Sequence, residues 1–393
     1  MSQKFPVDDD ALEDFALRMI GVRSYSTEEA DAAAVLQEEL DRQGFDVTVD
    51  ELGNIIGTLR LGEGPVVLLD AHLDTVGVLD PTEWSRKPDG EVADGRIFGR
   101  GAVDIKGPMA ACVHGVAALR DLASGTVVIS GSVAEELVEG PALVRVLERV
   151  NPDFVVICEP SSGKLARGQR GRAEVLVEVA GRSCHSAYPE SGINAAEVMV
   201  DVIAGLRLLT PPAQPTLGDG ILVLTDVMSH PYPGLSVLPE RCVATFDRRT
   251  LVGETEADVL GPVRAIVDEV TQQWGTTGSV SIAEDDYVTY TGVHVQAPNF
   301  APAWLAPEDA PIVGAAVSGL IGAGLDATVT HYKFCTNGSA SAGRLGIPTI
   351  GYGPGHEDEA HTVNESISLV ELRDGAQGYA AIVASLLGLG ESR

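Results

Sequence analysis

The chain has 393 residues, with 57 acidic residues against 27 basic ones and a formal net charge of −30. This length exceeds the size at which one hydrophobic core usually stops growing, so we expect two domains, and the 45% of hydrophobic residues can fill both. The strong negative charge repels nucleic acid and anionic membranes, which excludes both as partners.

The first part of the chain alternates helices and strands. Apolar residues from Leu12 to Ile20 recur with a helical period, and residues 27–43 repeat this pattern before Gly44, so we expect two opening helices. Apolar strands and further helices alternate to about residue 160. Because these strands are apolar on both faces, they predict an α/β domain with a mainly parallel sheet flanked by helices.

The pattern changes at about Gly171, where "RAEVLVEVAG" alternates as a strand with one wet face does. A helix, two strands, a helix and a strand follow to about Tyr287, which predicts a smaller α+β domain. The later segment "LGIPTIGYGPG" resembles a buried strand and loop of the first sheet. The small domain, 171–288, is therefore predicted to be inserted between the two parts of the large one, 1–170 and 289–393.

Nothing in the sequence predicts export or membrane insertion. The first twenty residues lack the apolar core of a signal peptide, and nowhere do about 18 apolar residues run together. Five scattered cysteines without a C-x-x-C pair fit reduced thiols better than a disulfide framework. We therefore expect a cytoplasmic protein whose cysteines have no chemical role.

Imidazoles and carboxylates follow the apolar runs at the points where the strands end. In open parallel sheets, ligands bind beyond the carboxyl ends of the strands. The residues at these points are His72, Asp74, Asp104, Glu135, Glu136, Glu159, His356 and His361. Each alone has an ordinary explanation, such as a helix cap or a solvated turn. Because buried carboxylates are costly unless paired or metal-bound, their coincidence at successive strand ends predicts a metal centre.

Two histidines with three or more carboxylates, and no thiolate, suit zinc, with cobalt or manganese possible by the same ligand set. Other chemistries have less support. The segment "GRGAVD" opens like a dinucleotide-binding motif but has Asp104 in place of the third glycine, and "GSASAG" lacks the spacing of a nucleophile elbow. The sequence therefore favours a metal-dependent enzyme.

Several motifs resemble, in order and spacing, the di-zinc aminoacylase and carboxypeptidase family that includes acetylornithine deacetylase and succinyl-diaminopimelate desuccinylase. These motifs span nearly the whole chain: "DAHLDTV", "GRGAVDIKGPMAA", "AEELVEG", "CEP", "CHSAYPESGINAA" and "GPGHEDEAHTVNE". Within the family, the chain looks most similar to a subgroup of selenium-metabolism hydrolases. One segment departs from the family pattern: "CTNGSASAGRLGIP" lacks the aspartate that many members carry there, so the substrate of the well-known deacylases does not transfer.

The resemblance implies two zinc ions and their ligands. His72 and Glu159 would hold one ion, Glu136 and His361 the other, and Asp104 would bridge them. The family pattern favours His361 over His356, because an Asn-Glu pair follows the ligand histidine closely. Asp74 would orient the His72 imidazole, as metal-bound histidines usually require.

The resemblance also implies how catalysis proceeds. The metals would generate hydroxide and polarise the carbonyl, while Glu135 would take the proton from the water and pass it to the leaving amine. The inserted domain would be a lid and dimerisation domain of a homodimer, from which His185 would reach the partner's active site and bind the developing oxyanion. The alternative for His185 is a hydrogen-bonded histidine of a lid loop in its own subunit.

Three further residues are candidates for binding the substrate. Arg170 and Arg249 could hold a substrate carboxylate, because guanidinium groups match it in bidentate geometry, although surface ion pairs are an equal alternative. Asn337 stands in the segment that departs from the family pattern.

The sequence therefore predicts a di-zinc amidohydrolase that cleaves the amide C–N bond of a small N-acylated amino acid or related amide through a metal-bound hydroxide. A metallo-dipeptidase or carboxypeptidase is the alternative within the same class. A catalytically silent ligand-binding protein is disfavoured, because Glu135 and all the ligand positions are present.

Overall fold

The structure is a computed structural model that describes residues 2–78, 80–120 and 124–388. Its helices are α1 (Asp9–Ile20), α2 (Ala30–Arg42), α3 (Lys106–Ala117), α4 (Pro141–Val150), α5 (Ala195–Leu206), α6 (Glu256–Trp274), α7 (Pro311–Ala323) and α8 (Leu369–Gly388). Among the residues described, none of these helices combines the length and apolarity that a membrane crossing requires.

The strands in chain order are β1 (Asp46–Val49), β2 (Ile55–Arg60), β3 (Val66–His72), β4 (Glu91–Ala93), β5 (Arg96–Phe98), β6 (Thr126–Ser132), β7 (Phe154–Ile157), β8 (Leu165–Gln169), β9 (Gly171–Ala180), β10 (Ala213–Gln214), β11 (Gly218–Asp219), β12 (Ile221–His230), β13 (Arg241–Thr250), β14 (Gly278–Ile282), β15 (Glu284–Val288), β16 (His294–Pro298), β17 (Phe300–Ala301), β18 (Trp304–Leu305), β19 (Val329–Tyr332), β20 (Thr349–Gly351) and β21 (Ser366–Ser368).

The chain divides into two compact units. The large unit comprises Met1–Gln169, Asp286–Gln296 and Trp304–Arg393, and the small unit comprises Arg170–Asp285 and Ala297–Ala303. The small unit therefore interrupts the large one in sequence.

A central sheet organises the large unit, in the order β1-β2-β6-β3-β7-β20-β8-β18, with β19 also paired to β8. The neighbouring strands β6, β3, β7 and β20 run parallel to one another. Antiparallel strands lie at the two edges. This arrangement confirms the predicted α/β class with a mainly parallel sheet.

Helices cover both faces of this sheet because its central strands are apolar on both. In β3, Val67 and Leu69 pack into a cluster with residues of α1, α3 and α8, whereas Leu68 packs into a second cluster with residues of α4. Side chains alternate between the faces of a strand, so the run VVLLDAH supplies both clusters. The strand ends are thereby held between two packed layers.

Two elements differ from the sequence-based expectation. Helix α2 begins at Ala30 and not at Thr27, because Thr27 has a φ of 71°, which a right-handed helix does not accommodate. Strand β5, which precedes Asp104, belongs to a separate sheet with the order β21-β5-β4 and not to the central sheet. The first difference concerns a loop that contacts Asp74 through Ser26, and the second concerns the strand that precedes Asp104.

The small unit contains an antiparallel sheet in the order β12-β13-β9-β14, with β17 also paired to β9. Every second residue of β9 is buried, as its alternating sequence predicts. Helices α5 and α6 contribute to the core on the apolar face of the sheet, and α6 begins with a capping box between Thr255 and Asp258. The predicted smaller α+β domain is confirmed.

A buried carboxylate in the large unit links three helices. Glu39 of α2 contacts Arg18, accepts hydrogen bonds from Arg42 (2.6 Å) and Gln43 (3.0 Å), and lies 3.3 Å from His114. Burial alone would raise the pKa of Glu39, but the neighbouring His114 imidazole and the hydrogen bonds from Gln43 and Arg18 lower it to about 2. Glu39 is therefore a fully paired structural carboxylate.

Candidate metal centre

The parallel strands of the central sheet bring most of the predicted ligands to one edge. β3 ends at His72 itself, and the loops that follow β6 and β7 carry Glu135, Glu136 and Glu159. Because these strands are parallel neighbours, their carboxyl ends lie side by side. Residues that are far apart in sequence therefore become neighbours.

His72 lies at the centre of the cluster. Its Nε2 atom is 2.9 Å from Asp104 Oδ1, 3.7 Å from Glu159 Oε1 and 3.9 Å from Glu135 Oε2. The ligand atoms of His72, Asp104 and Glu136 lie within 4.8 Å of one another, and so do those of His72, Glu135 and Glu159. Two groups of possible ligands thus share one imidazole.

His361 completes the first group from the C-terminal part of the chain. Its Nε2 atom lies 3.1 Å from Asp104 Oδ2 and 3.1 Å from Glu136 Oε1. His356 instead lies with Nδ1 2.9 Å from the Ser162 hydroxyl and Nε2 3.1 Å from a carboxylate on α8. The structure therefore brings His361, and not His356, to the cluster, and Asp104 faces one histidine with each oxygen.

The charges of the cluster favour a bound cation. Burial raises the pKa of Glu135 and of Glu159 well above the usual range, and neighbouring carboxylates add to this effect. Hydrogen bonds to Asp104 and Glu136 raise the pKa of His361 to about 10. Carboxylates so close together attract positive charge, and with two imidazoles they form a donor set that fits divalent metal ions.

Asp74 contacts the cluster in two ways. The main-chain oxygen of Asp74 lies 2.8 Å from His72 Nδ1, whereas its carboxylate lies 3.5 Å from the same nitrogen. The carboxylate accepts hydrogen bonds from the amides of Glu135 (3.1 Å) and Glu136 (3.0 Å) and from the Ser26 hydroxyl (2.7 Å). The main chain of Asp74 therefore fixes the imidazole, and its side chain fixes the two glutamates.

Other supporting residues were not identified from the sequence. Glu365 accepts hydrogen bonds from the amides of Val103 (2.8 Å) and Asp104 (3.1 Å) and so holds the loop of the central aspartate. The hydroxyl of Tyr332 donates to the carbonyl of Glu159 at 2.9 Å. The sequence drew attention to Glu365 through the Asn-Glu pair after His361. It did not predict that Glu365 accepts hydrogen bonds from the loop that carries Asp104.

Asn337 lies buried in the large unit. Its side-chain amide donates to Asp70 Oδ2 (2.9 Å) and Ser132 Oγ (3.0 Å), and its oxygen accepts from the Gly140 amide (2.7 Å). Both ends of the side chain therefore bind the protein. The role of Asn337 in substrate binding stays a prediction.

The two candidate arginines lie in the small unit. Arg170 donates to the carbonyl of Asp219 at 3.0 Å. Arg249 donates to Asp247 on its own strand at 2.8 Å. Asp247 thus occupies Arg249 as an ion-pair partner, and the substrate-binding role of both arginines stays a prediction.

His185 also lies in the small unit and is exposed. Its Nδ1 atom accepts a hydrogen bond from the Ala187 amide at 3.0 Å, and its ring packs against Tyr188 with centroids 6.2 Å apart. Because Nδ1 is an acceptor, the neutral imidazole carries its proton on Nε2. Its Nε2 is then a hydrogen-bond donor.

Comparison with known proteins agrees with this architecture. The chain is 35% identical over 384 residues to uncharacterized protein YgeY of Escherichia coli strain K12, covering 95% of this chain and 94% of that protein. It is 34% identical over 214 residues to succinyl-diaminopimelate desuccinylase of Caulobacter sp. strain K31, covering 50% and 55%.

A solved structure shares the fold. YXEP of Bacillus subtilis, described as a dinuclear metal-binding peptidase from the M20 family, superposes with a TM-score of 0.71 at 15% identity, covering 97% of this chain and 98% of that one. The more specific resemblance to selenium-metabolism hydrolases stays a prediction. Residues 68–385, which include all the clustered side chains, match the family described as peptidase family M20/M25/M40. The chain therefore belongs to this family and is a hydrolase of amide or peptide bonds.

Proposed function

We propose that the protein is a di-zinc amidohydrolase that cleaves the amide C–N bond of a small N-acylated amino acid or related amide. The observation that carries this proposal is the placement of Asp104, whose Oδ1 lies 2.9 Å from His72 and whose Oδ2 lies 3.1 Å from His361. His72 and Glu159 would hold one metal ion, Glu136 and His361 would hold the other, and Asp104 would contribute to both. Cobalt or manganese would suit the same donor set.

Glu135 is the proposed general base. When bound, the metal pair supplies an activated water and polarises the scissile carbonyl. Glu135 lies next to this centre, and burial raises the pKa of its carboxyl well above the usual range. A carboxyl whose pKa lies nearer the working pH can both accept a proton from water and return it to the leaving amine. Glu136, in contrast, faces His361 and serves as a ligand.

A panel of substrates that release the same amino acid tests this function. N-acyl, N-carbamoyl and dipeptide substrates are compared by kcat/KM, together with metal analysis of the purified protein. We expect the N-acyl amino acids to be cleaved with the highest kcat/KM. Preferential cleavage of dipeptides would favour a metallo-dipeptidase or carboxypeptidase, which the peptidase family makes the second candidate. Binding without turnover of any substrate would contradict both.

We further propose a cytoplasmic location. The five cysteines are free thiols, and four of them are buried. Reduced cysteines in this number are typical of a reducing compartment. Cell fractionation with an antibody against the protein tests this location.

The small unit is proposed to act as a lid and to form a homodimer. His185 then reaches the active site of the partner subunit and donates a hydrogen bond to the oxyanion that develops on the substrate carbonyl. The hydrogen bond from Ala187 to His185 Nδ1 supports this role, because it leaves Nε2 protonated for donation.

Complementation between two inactive variants tests whether His185 acts across subunits. Glu135→Gln and His185→Ala chains with different tags are coexpressed, and the heterodimer is isolated. If His185 acts on the partner, one of the two sites contains both functional residues, and we expect about half of the parent activity, since one site in two is intact. An inactive heterodimer with the parent metal content would place His185 in the active site of its own subunit, and a monomeric parent would contradict the dimer.

A further inference from the structure

The loop that carries Glu135 and Glu136 is held by side chains from three other segments. Four successive main-chain amides of residues 133–136 each donate to a side-chain oxygen: Val133 to Asn54 Oδ1 at 3.0 Å, Ala134 to Glu29 Oε1 at 3.0 Å, Glu135 to Asp74 Oδ1 at 3.1 Å and Glu136 to Asp74 Oδ2 at 3.0 Å. We call Glu29, Asn54 and Asp74 the amide cradle.

The loop needs such support because its own backbone is irregular. Residues 133–136 follow β6 and belong to no helix or strand. Ala134 has a φ of 54°, in the left-handed region that alanine rarely adopts. No helix or strand holds this conformation, so the amide cradle must do so. Without it, the side chains of Glu135 and Glu136 would no longer keep their orientation.

Glu29 is an unusual residue at its position in the fold. It is the N-cap residue of α2, but its side chain makes no hydrogen bond to that helix. It is completely buried, its Oε1 atom accepts from the amides of Thr27 (2.9 Å) and Ala134, and its Oε2 atom has no hydrogen-bond partner. Burial raises its pKa to about 7. A buried carboxylate with a bare oxygen weakens the fold, so stability alone does not explain it.

Glu39 of the same helix provides the contrast. It is equally buried, but Arg18, Arg42 and Gln43 surround its carboxylate. Its partners lie on α1 and at the C-terminal end of α2, and neither helix carries a predicted metal ligand. Glu39 therefore represents a purely structural buried carboxylate, whereas Glu29 is directed at the loop of the metal centre.

We propose that Glu29, together with Asn54, is a positioning residue that aims Glu135 and Glu136 by holding the amides of Ala134 and Val133. Asn54 is suited to this task because its amide group is itself fixed, donating to Asp50 at 2.8 Å. The inference rests on the proposed function, since it assigns these two residues to the same metal centre. It assigns a role to the contact between Glu29, which precedes α2, and Ala134, which follows β6.

Zinc binding to the folded apoprotein measures this positioning without any substrate. The parent, Glu29→Ala, Glu29→Gln and Glu39→Ala proteins are titrated with Zn²⁺ against a competing chelator, and Tm is recorded for each. We expect Glu29→Ala to weaken zinc affinity by about 10–100-fold, the usual effect of removing a partner of a metal ligand. Glu29→Gln keeps the acceptor oxygen for Ala134 and should restore most of the affinity. Glu39→Ala should lower Tm but bind zinc as the parent does.

Three outcomes would overturn the inference. Glu29→Ala could bind zinc as tightly as the parent, or Glu29→Gln could be as weak as Glu29→Ala, or Glu39→Ala could weaken zinc affinity equally, which would mean that only stability is involved. A parent that binds no zinc would contradict the proposed function as well and is thus distinguishable. If Glu29→Ala does not fold, Glu29→Asp makes the same comparison, since its shorter side chain withdraws the oxygen from Ala134.

Discussion

Replacing Glu135 with glutamine is expected to lower the kcat of amide hydrolysis by about 10²–10⁴, the usual contribution of a general base. Glutamine preserves the shape of the side chain but cannot accept the proton. The amide of residue 135 still donates to Asp74, so the loop keeps its conformation. Metal content, measured by elemental analysis, should equal that of the parent.

Glu136→Gln is the matched variant, because Glu136 lies in the same loop and its amide also donates to the Asp74 carboxylate. Its side chain faces His361 at 3.1 Å and is a proposed ligand, so this variant should lose one metal ion along with activity. If both variants lose metal equally, the division between base and ligand is wrong. If Glu135→Gln keeps the parent kcat, Glu135 is not the base.

Removal of metal is expected to abolish hydrolysis completely. The parent should contain about two metal ions per chain, and activity should return when zinc is added to the chelated protein. Asp104→Ala should reproduce this loss irreversibly, because Asp104 faces His72 with one oxygen and His361 with the other. Activity and metal content are measured on the same samples.

The control for this experiment is Asp326→Ala, which changes an exposed aspartate of the large unit that accepts a hydrogen bond from the Thr328 amide. It should retain both metal and activity. An apoprotein that remains fully active would refute the metal mechanism. Asp104→Ala with two bound metal ions would refute the bridging role of that aspartate.

The strand ends are the part of the centre that sequence patterns can predict. His72 and Glu159 follow apolar runs that fill both faces of a sheet, and parallel pairing of β3 with β7 brings their ends together. Burial of the strands dictates this convergence, so no knowledge of tertiary contacts is needed. His361 was separable from His356 only by family resemblance, because both follow the same strand within ten residues.

The amide cradle could not be predicted in this way. Glu29 meets Ala134 across 105 positions of sequence, and Asn54 meets Val133 across 79. Local periodicity assigned residue 29 to a helix interior, where a glutamate is ordinary, and the turn at Thr27 is not visible in hydrophobic pattern. Contacts between two loops depend on how whole layers pack, which the pattern of one segment does not contain.

The position of β20 has a consequence for synthesis of the protein. Strands β7 and β8 follow each other closely in the chain, but β20, which is made much later, lies between them in the sheet. At about 5–20 residues per second, a ribosome needs roughly 10–40 s to reach β20 after finishing β7. Meanwhile β7 has an open edge that can pair with other chains. The sheet and helices of the small unit are encoded in this interval, so the small unit can fold first. The central sheet of the large unit is completed only when its C-terminal segment has been synthesised.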